Sequence, residues 1–369
     1  MSEADQTRLH SEYAVDDHAL NGAIIPTFFK YLLPSLLGLL ALTSASIVDG
    51  IFIGNYVGVT ALAAVNLIIP VTTLLFGVAL MLIIGGSVRG GKYLGEGSAD
   101  KASAIFSKTI LAVGAYGVVV VALGIAFEEV IFMVLGAGEE LFPVMSEYYR
   151  IILPFLLAQF FLAGLYYFVR LDGFPDLAAA ALAIGALGNV ALDYIFIAML
   201  DWGLTGAAFA TGLSQLIPLL ILMSYFFKPA RRLYFNIRQS DWLEILKASY
   251  NGASEFVNEV SGAIIAFVFN WMLIQRAGVD GVAAITVVNY LIFLGFMVYY
   301  AISDAIQVLV SQNFGAQLPG RISAFLKAAG VNVGVMSALI IVVLLTASEP
   351  LIALFVDEEE YVATVALAI

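Results

Sequence analysis

The chain has 369 residues, of which 62% are hydrophobic and 12% charged. Its mean hydropathy of +0.99 lies far above that of a soluble domain, so the composition is that of a polytopic membrane protein. A net charge of −12 argues against a nucleic-acid partner, and the absence of cysteine excludes disulfides and thiolate metal sites. The only two histidines, His10 and His18, precede the first apolar run, which removes histidine-based catalysis from the membrane region.

Residues 1–23 are polar and acidic, with no basic n-region or cleavage site, and read as a cytosolic tail rather than a signal peptide. Nine apolar runs follow, each long enough to cross a bilayer at 1.5 Å per residue. They are Ile24–Val48, Ala61–Gly85, Ala104–Phe127, Tyr148–Val169, Leu177–Leu200, Leu204–Phe227, Ser249–Leu273, Val282–Ala305 and Ala324–Ala347. A tenth begins near Tyr361 and stops at Ile369.

Charge orients these runs. Of the 16 basic residues, all but Arg150 and Arg276 fall in the tail or near alternate connections, including Arg89, Lys92, Lys101 and Lys108 after run 2, Arg170 after run 4 and five residues after run 6. The positive-inside rule puts that side, with the N-terminus, in the cytoplasm of a multi-pass cell-membrane protein.

The chain also aligns with itself at an offset of 220 residues without a gap. Gly58-Val59 falls on Gly278-Val279, Ala63-Ala64 on Ala283-Ala284, Gly95 on Gly315, and Ser103-Ala104 on Ser323-Ala324. The offset covers six runs, an even number, so the repeats are parallel. The expected fold is all-α, with two six-helix lobes around a cleft. An N-lobe occupies 24–228, a cytoplasmic linker 229–247 and a partial C-lobe 248–369. Two units of 220 residues need about 440, so the second lobe is expected to be truncated after about four helices, with runs 11 and 12 missing. In the linker, Asp241 and Glu244 have capping-box spacing ahead of Trp242, Ile245, Leu246 and Ser249, which predicts a short amphipathic helix.

Few residues in the runs can carry chemistry. Asn189 and Asp193 lie one helical turn apart on one face of run 5. A charge at mid-bilayer costs roughly 2.5–3.5 kcal/mol, so such a pair marks a pathway or an ion site, or else snorkels from a helix end. Asp49 ends run 1, which Pro34 interrupts with either a static kink or a hinge. In the second lobe, Glu255 and Glu259 are one turn apart on run 7, and Asp304 ends run 8. Asp304 reads as a gate or interface residue, Glu255 as an interfacial or structural residue or else a substrate contact, and Glu259 equally as either. The pairs Tyr148-Tyr149, Tyr166-Tyr167 and Tyr299-Tyr300 read as interfacial belts rather than substrate cages.

The pattern Pro34…Asp49-Gly-Ile-Phe-Ile-Gly54…Ala61-Leu-Ala-Ala64…Pro70 resembles the first two helices of the MATE (multidrug and toxic compound extrusion) family. Arg170-Leu-Asp-Gly173, Asn189…Asp193 and Gly206-Ala-Ala…Ala210-Thr211 resemble its helix 5–6 region. Asn251-Gly…Ser254-Glu-Phe and Leu309-Val-Ser-Gln-Asn-Phe-Gly315-Ala resemble the second lobe of its DinF-like branch. The resemblance implies a secondary antiporter that expels cationic or amphipathic organic compounds in exchange for H⁺ or Na⁺. It implies a coupling site of Asp49, Asn189, Asp193 and Thr211, with Pro34 as the hinge. No cofactor is expected beyond the coupling ion, and the partners expected are a small organic substrate and the bilayer, with the protein a monomer.

A flippase for lipid-linked sugars is the alternative. It is expected to hold basic residues inside its lumen, whereas none of the 16 lies mid-run. An enzyme would need a nucleophile–base pair or metal ligands, and the runs hold no His, Cys, HExxH or DDxxD.

Overall fold

A computed structural model describes residues 18–138, 141–238 and 242–353. The tenth run and Asp241 lie outside the described residues; among the described residues every regular element is helical. Six long helices make the N-lobe: α1 (Ile24–Phe52), α2 (Val59–Gly95), α3 (Ala99–Ala126), α4 (Phe142–Leu171), α5 (Pro175–Asp193) and α6 (Gly203–Met223), with a short helical turn at Glu128–Val134 between α3 and α4. Then come α7 (Leu243–Gly315) and α8 (Pro319–Ala353). Seven of the described helices are long and apolar enough to cross a membrane.

Local chemistry sets several ends. Pro175 and Asp176 open α5, where a missing N–H costs nothing and a carboxylate meets the positive end of the helix dipole. Gly58, at φ 121°, breaks the chain between α1 and α2 in a conformation that side chains resist. α2 has 37 residues and so measures about 55 Å, far beyond a hydrocarbon core of roughly 30 Å. Its final turns carry Arg89 and Lys92 out of the apolar region.

α7 is one helical stretch of 73 residues, yet it cannot be straight. The Asn258 amide donates to the Tyr300 hydroxyl at 3.4 Å, across 42 residues of sequence. Only a reversal between them allows this, so α7 is a hairpin whose arms carry runs 7 and 8. Helix begins at Leu243 and continues into run 7 without a break.

The two repeats meet reciprocally. A Cβ on Gly95 would lie 1.9 Å from the Gln312 carbonyl oxygen, and one on Gly315 would lie 1.9 Å from that of Lys92. Both pairs are related by the offset of 220 (92 to 312, 95 to 315), the signature of a local two-fold axis between α2 and the second arm of α7. Gly85 and Gly252 make a second backbone contact, each with its Cβ position 2.0 Å from a carbonyl oxygen across the interface, those of Ala248 and Met81. Glycine is required at all four positions because the helices touch backbone to backbone.

The core has two parts. One, at the basic end, joins the lobes through Phe28, Tyr31, Phe168, Ala305, Leu309 and Phe325. The other lies wholly within the N-lobe, around Ile53, Ala64, Val113, Tyr148, Phe160 and Leu204.

The linker is bound to the N-lobe. Buried Asp172 accepts from the Arg232 backbone N–H and from its Nε, both at 2.7 Å. Downstream, the Asn236 N–H donates to Ser107 Oγ at 2.7 Å.

Candidate functional site

Two π-helical stretches frame the N-lobe acids. α1 passes into one at Ile53–Val57, four residues after Asp49, and α5 passes into another at Tyr194–Met199, directly after Asp193. The stretches lie against each other. Single π turns inside helices recur at functional sites, because the extra residue re-aims neighbouring side chains.

Here they bring Asp49 and Asp193 face to face, 144 positions apart in sequence, within reach of a direct carboxyl–carboxyl interaction. Asp193 is fully buried. Tyr148 from α4 lies beside both acids and next to Thr211 of α6. Asn189 is buried one turn before Asp193 on the same face of α5. The structure therefore gathers Asp49, Asp193 and Thr211, and adds Tyr148, which an interfacial-belt reading misses.

What distinguishes the cluster is that its enclosed oxygens are left without hydrogen bonds. One oxygen of Asp49, both of Asp193 and the Thr211 hydroxyl are enclosed with no hydrogen-bond partner among the described residues. A buried polar atom left unsatisfied costs about 1–3 kcal/mol, and more if charged. Carboxylate, amide and hydroxyl oxygens form a hard donor set that suits a proton or a small alkali cation.

A second carboxylate has the opposite surroundings. Asp304, on the second arm of α7, pairs with Arg170 of α4 at 3.0 Å. The Tyr166 and Tyr167 hydroxyls donate to it at 3.2 and 3.3 Å. Arg170 also donates to Ser35 Oγ at 2.7 Å and lies over the Tyr166 ring. This network crosses from lobe to lobe.

Arg170 and Lys108, which the sequence places near the connections, are both buried, with Arg170 1% and Lys108 0% exposed. The inter-lobe contact covers Arg170, and the linker lies against the turn that carries Lys108. The expectation of interfacial belts is corrected at Tyr148, Tyr149 and Tyr166, because each is packed inside the protein. Sequence periodicity has no signal for this, since lipid-facing and core-facing positions of a membrane helix are equally apolar.

Glu255 lies within electrostatic reach of Asp304 and Glu259. Glu259 enters a separate cleft of about 240 Å³ between α2 and the first arm of α7. Pro70, Thr73, Gly77 and Ile264 line that cleft, and among the described residues Glu259 is its one charged lining residue. Pro34 lies inside an unbroken α1, beside the Ser35 that Arg170 holds.

The MatE family model matches residues 34–195 and 256–369. The multidrug export protein MepA of Staphylococcus aureus (strain MSSA476) is 23% identical over 344 residues, 92% of this chain and 75% of that protein. The probable multidrug resistance protein YoeA of Bacillus subtilis (strain 168) is 24% identical over 349 residues, 89% of this chain and 73% of that protein. Among solved structures, the outward-facing conformation of a multidrug resistance MATE transporter of the MOP superfamily superposes with a TM-score of 0.87 at 22% identity, covering 95% of this chain and 79% of that one. A MOP superfamily transporter from Pyrococcus furiosus, described as having a binding pocket of reverse polarity, gives 0.85 at 23% identity, covering 95% and 77%. The family model covers well over half of the sequence and the fold agrees with it, so the chain belongs to the MatE family of membrane transporters.

Proposed function

We propose that the chain is a secondary antiporter that exports cationic or amphipathic organic molecules in exchange for H⁺ or Na⁺. One observation carries this reading: the enclosed oxygens of Asp49, Asp193 and Thr211 have no hydrogen-bond partner among the described residues. A bound H⁺ or Na⁺ cancels one of the pair's two negative charges, and because the cost of two facing carboxylates differs between conformations, the ion biases one over the other. Asn189 completes the oxygen set, and Tyr148 offers a hydroxyl to it.

Transmission runs along α1. The same helix carries Asp49 and, through Ser35, one contact of the Arg170–Asp304 network. A bend at Pro34, where the helix lacks a backbone donor, moves one relative to the other. The export of multidrug substrates by MepA supports the direction of transport. The apolar cleft with Glu259 suits a cationic amphipathic substrate, because a single carboxylate in an apolar wall attracts a cation without demanding a particular shape. The bias of basic residues supports a cell-membrane protein with its N-terminus and linker cytoplasmic; we take it to work as a monomer.

The flippase reading gains nothing from the buried arginine. Asp304 neutralises Arg170, and the cleft presents a carboxylate where a pyrophosphate would need a cation.

The test is dye efflux from vesicles under an imposed pH or Na⁺ gradient. Asp49→Asn and Asp193→Asn are expected to abolish gradient-driven movement while the protein stays folded. Parental rates in both variants would remove the coupling assignment.

A further inference from the structure

The basic end of the bundle carries a second cleft, of about 430 Å³, that the transport reading does not use. Arg89 of α2 lines one side, and Leu243, Leu246, Lys247, Tyr250 and Asn251 of α7 line the other. These five positions follow the i, i+3, i+4, i+7, i+8 spacing of a single helix face. The opposite face is packed: Ile245, Ala248 and Ser249 are buried, and Gly252 touches the α2 backbone. The cleft face is open, with Leu246 67% and Tyr250 83% exposed. We propose that this cleft binds an anionic phospholipid, its phosphate between Lys247 and Arg89 and its acyl chains along Leu243, Leu246 and Tyr250.

Position, charge and shape agree on this occupant. Arg89 follows the apolar run of α2 by one turn, and Trp242 and Tyr250 supply the amphipathic rings that settle at headgroup depth. Lys247 lies on a face that is otherwise apolar or amide, so its ammonium meets the headgroup layer while its stem lies against hydrocarbon. Glu244 takes one edge of Arg89 at 3.2 Å, which leaves one net positive charge among the described residues of the cleft. One net positive charge and an apolar rim match a lipid with a single net negative charge and two acyl chains. Free phosphate satisfies the cations and leaves the rim bare.

The experiment is native mass spectrometry of the full chain in detergent, with phosphatidylglycerol or phosphatidylcholine added. Phosphatidylglycerol is expected to be retained in preference to phosphatidylcholine. Lys247→Gln is expected to weaken its retention about fivefold, the effect of one lysine at an anionic surface. Lys247→Arg is expected to preserve it, as is Lys228→Gln, which removes an exposed lysine at the same end outside the cleft. Equal retention of phosphatidylcholine overturns the proposal, and so does equal loss in Lys228→Gln and Lys247→Gln. Displacement of the lipid by inorganic phosphate overturns it too, because the cleft is then a free-anion site.

Discussion

The protein buries carboxylates in two contrasting ways. Asp304 is saturated: a guanidinium and two phenols meet it, and its charge is cancelled inside the protein. Asp49 and Asp193 face each other, and three of their four oxygens lack a partner. The same functional group is a fixed tie in the first setting and, in the function we propose, a receptor for an exchangeable cation in the second. What decides between them is whether the fold supplies the counter-charge, because a buried pair broken on one side is strongly destabilising while an unpaired carboxylate gains from any cation that reaches it.

Four experiments can sharpen or break this contrast. The largest effect is expected at Asp193→Asn, which ends coupled efflux in vesicles yet leaves the melting temperature unchanged or raised, since it removes buried charge without disturbing a pair. Asp304→Asn should do the reverse to stability: it strands Arg170 and costs roughly 3–5 kcal/mol, lowering the melting temperature. The double change Arg170→Met with Asp304→Leu should recover most of that loss. A melting temperature that falls in Asp193→Asn and holds in Asp304→Asn would invert the comparison.

Next come the reciprocal glycines. Gly95→Ala and Gly315→Ala each place a methyl group against a carbonyl oxygen and should cost about 1–3 kcal/mol. The two should match in size because one two-fold axis relates them. Spin labels across the basic end, at cysteines introduced into a chain that has none, should report wider separations in both. Unequal effects would mean that the lobes do not meet symmetrically. The smallest effect is expected at Glu259→Gln, which should weaken a monocationic dye about fivefold relative to a neutral one, roughly 1 kcal/mol for a partly solvated charge pair. Equal loss for both dyes would exclude an electrostatic role in the cleft.

Much of this contrast can be read before folding, and part of it cannot. Asp49 and Asp193 stand out in sequence because a carboxylate in an apolar run is too costly to be incidental. Pro34 and the glycines at 95 and 315 stand out by their place in a helix or in the repeat. Tyr148 does not, because a tyrosine in a membrane helix is equally at home in the headgroup layer. Arg170 is misleading for a related reason: it falls at the end of an apolar run, where basic residues normally face water, and only its pairing across 134 residues of sequence puts it inside.

The sequence by itself determined the helices, the offset of 220 and the identity of the costly acids, because those depend on run length, periodicity and the price of charge in hydrocarbon. Tertiary structure alone decided which faces turn inward, since lipid is as apolar as a protein core and leaves no pattern to read. It also decided that α7 folds back on itself, that Asp49 meets Asp193, and that Asp304 is answered by an arginine where they are not.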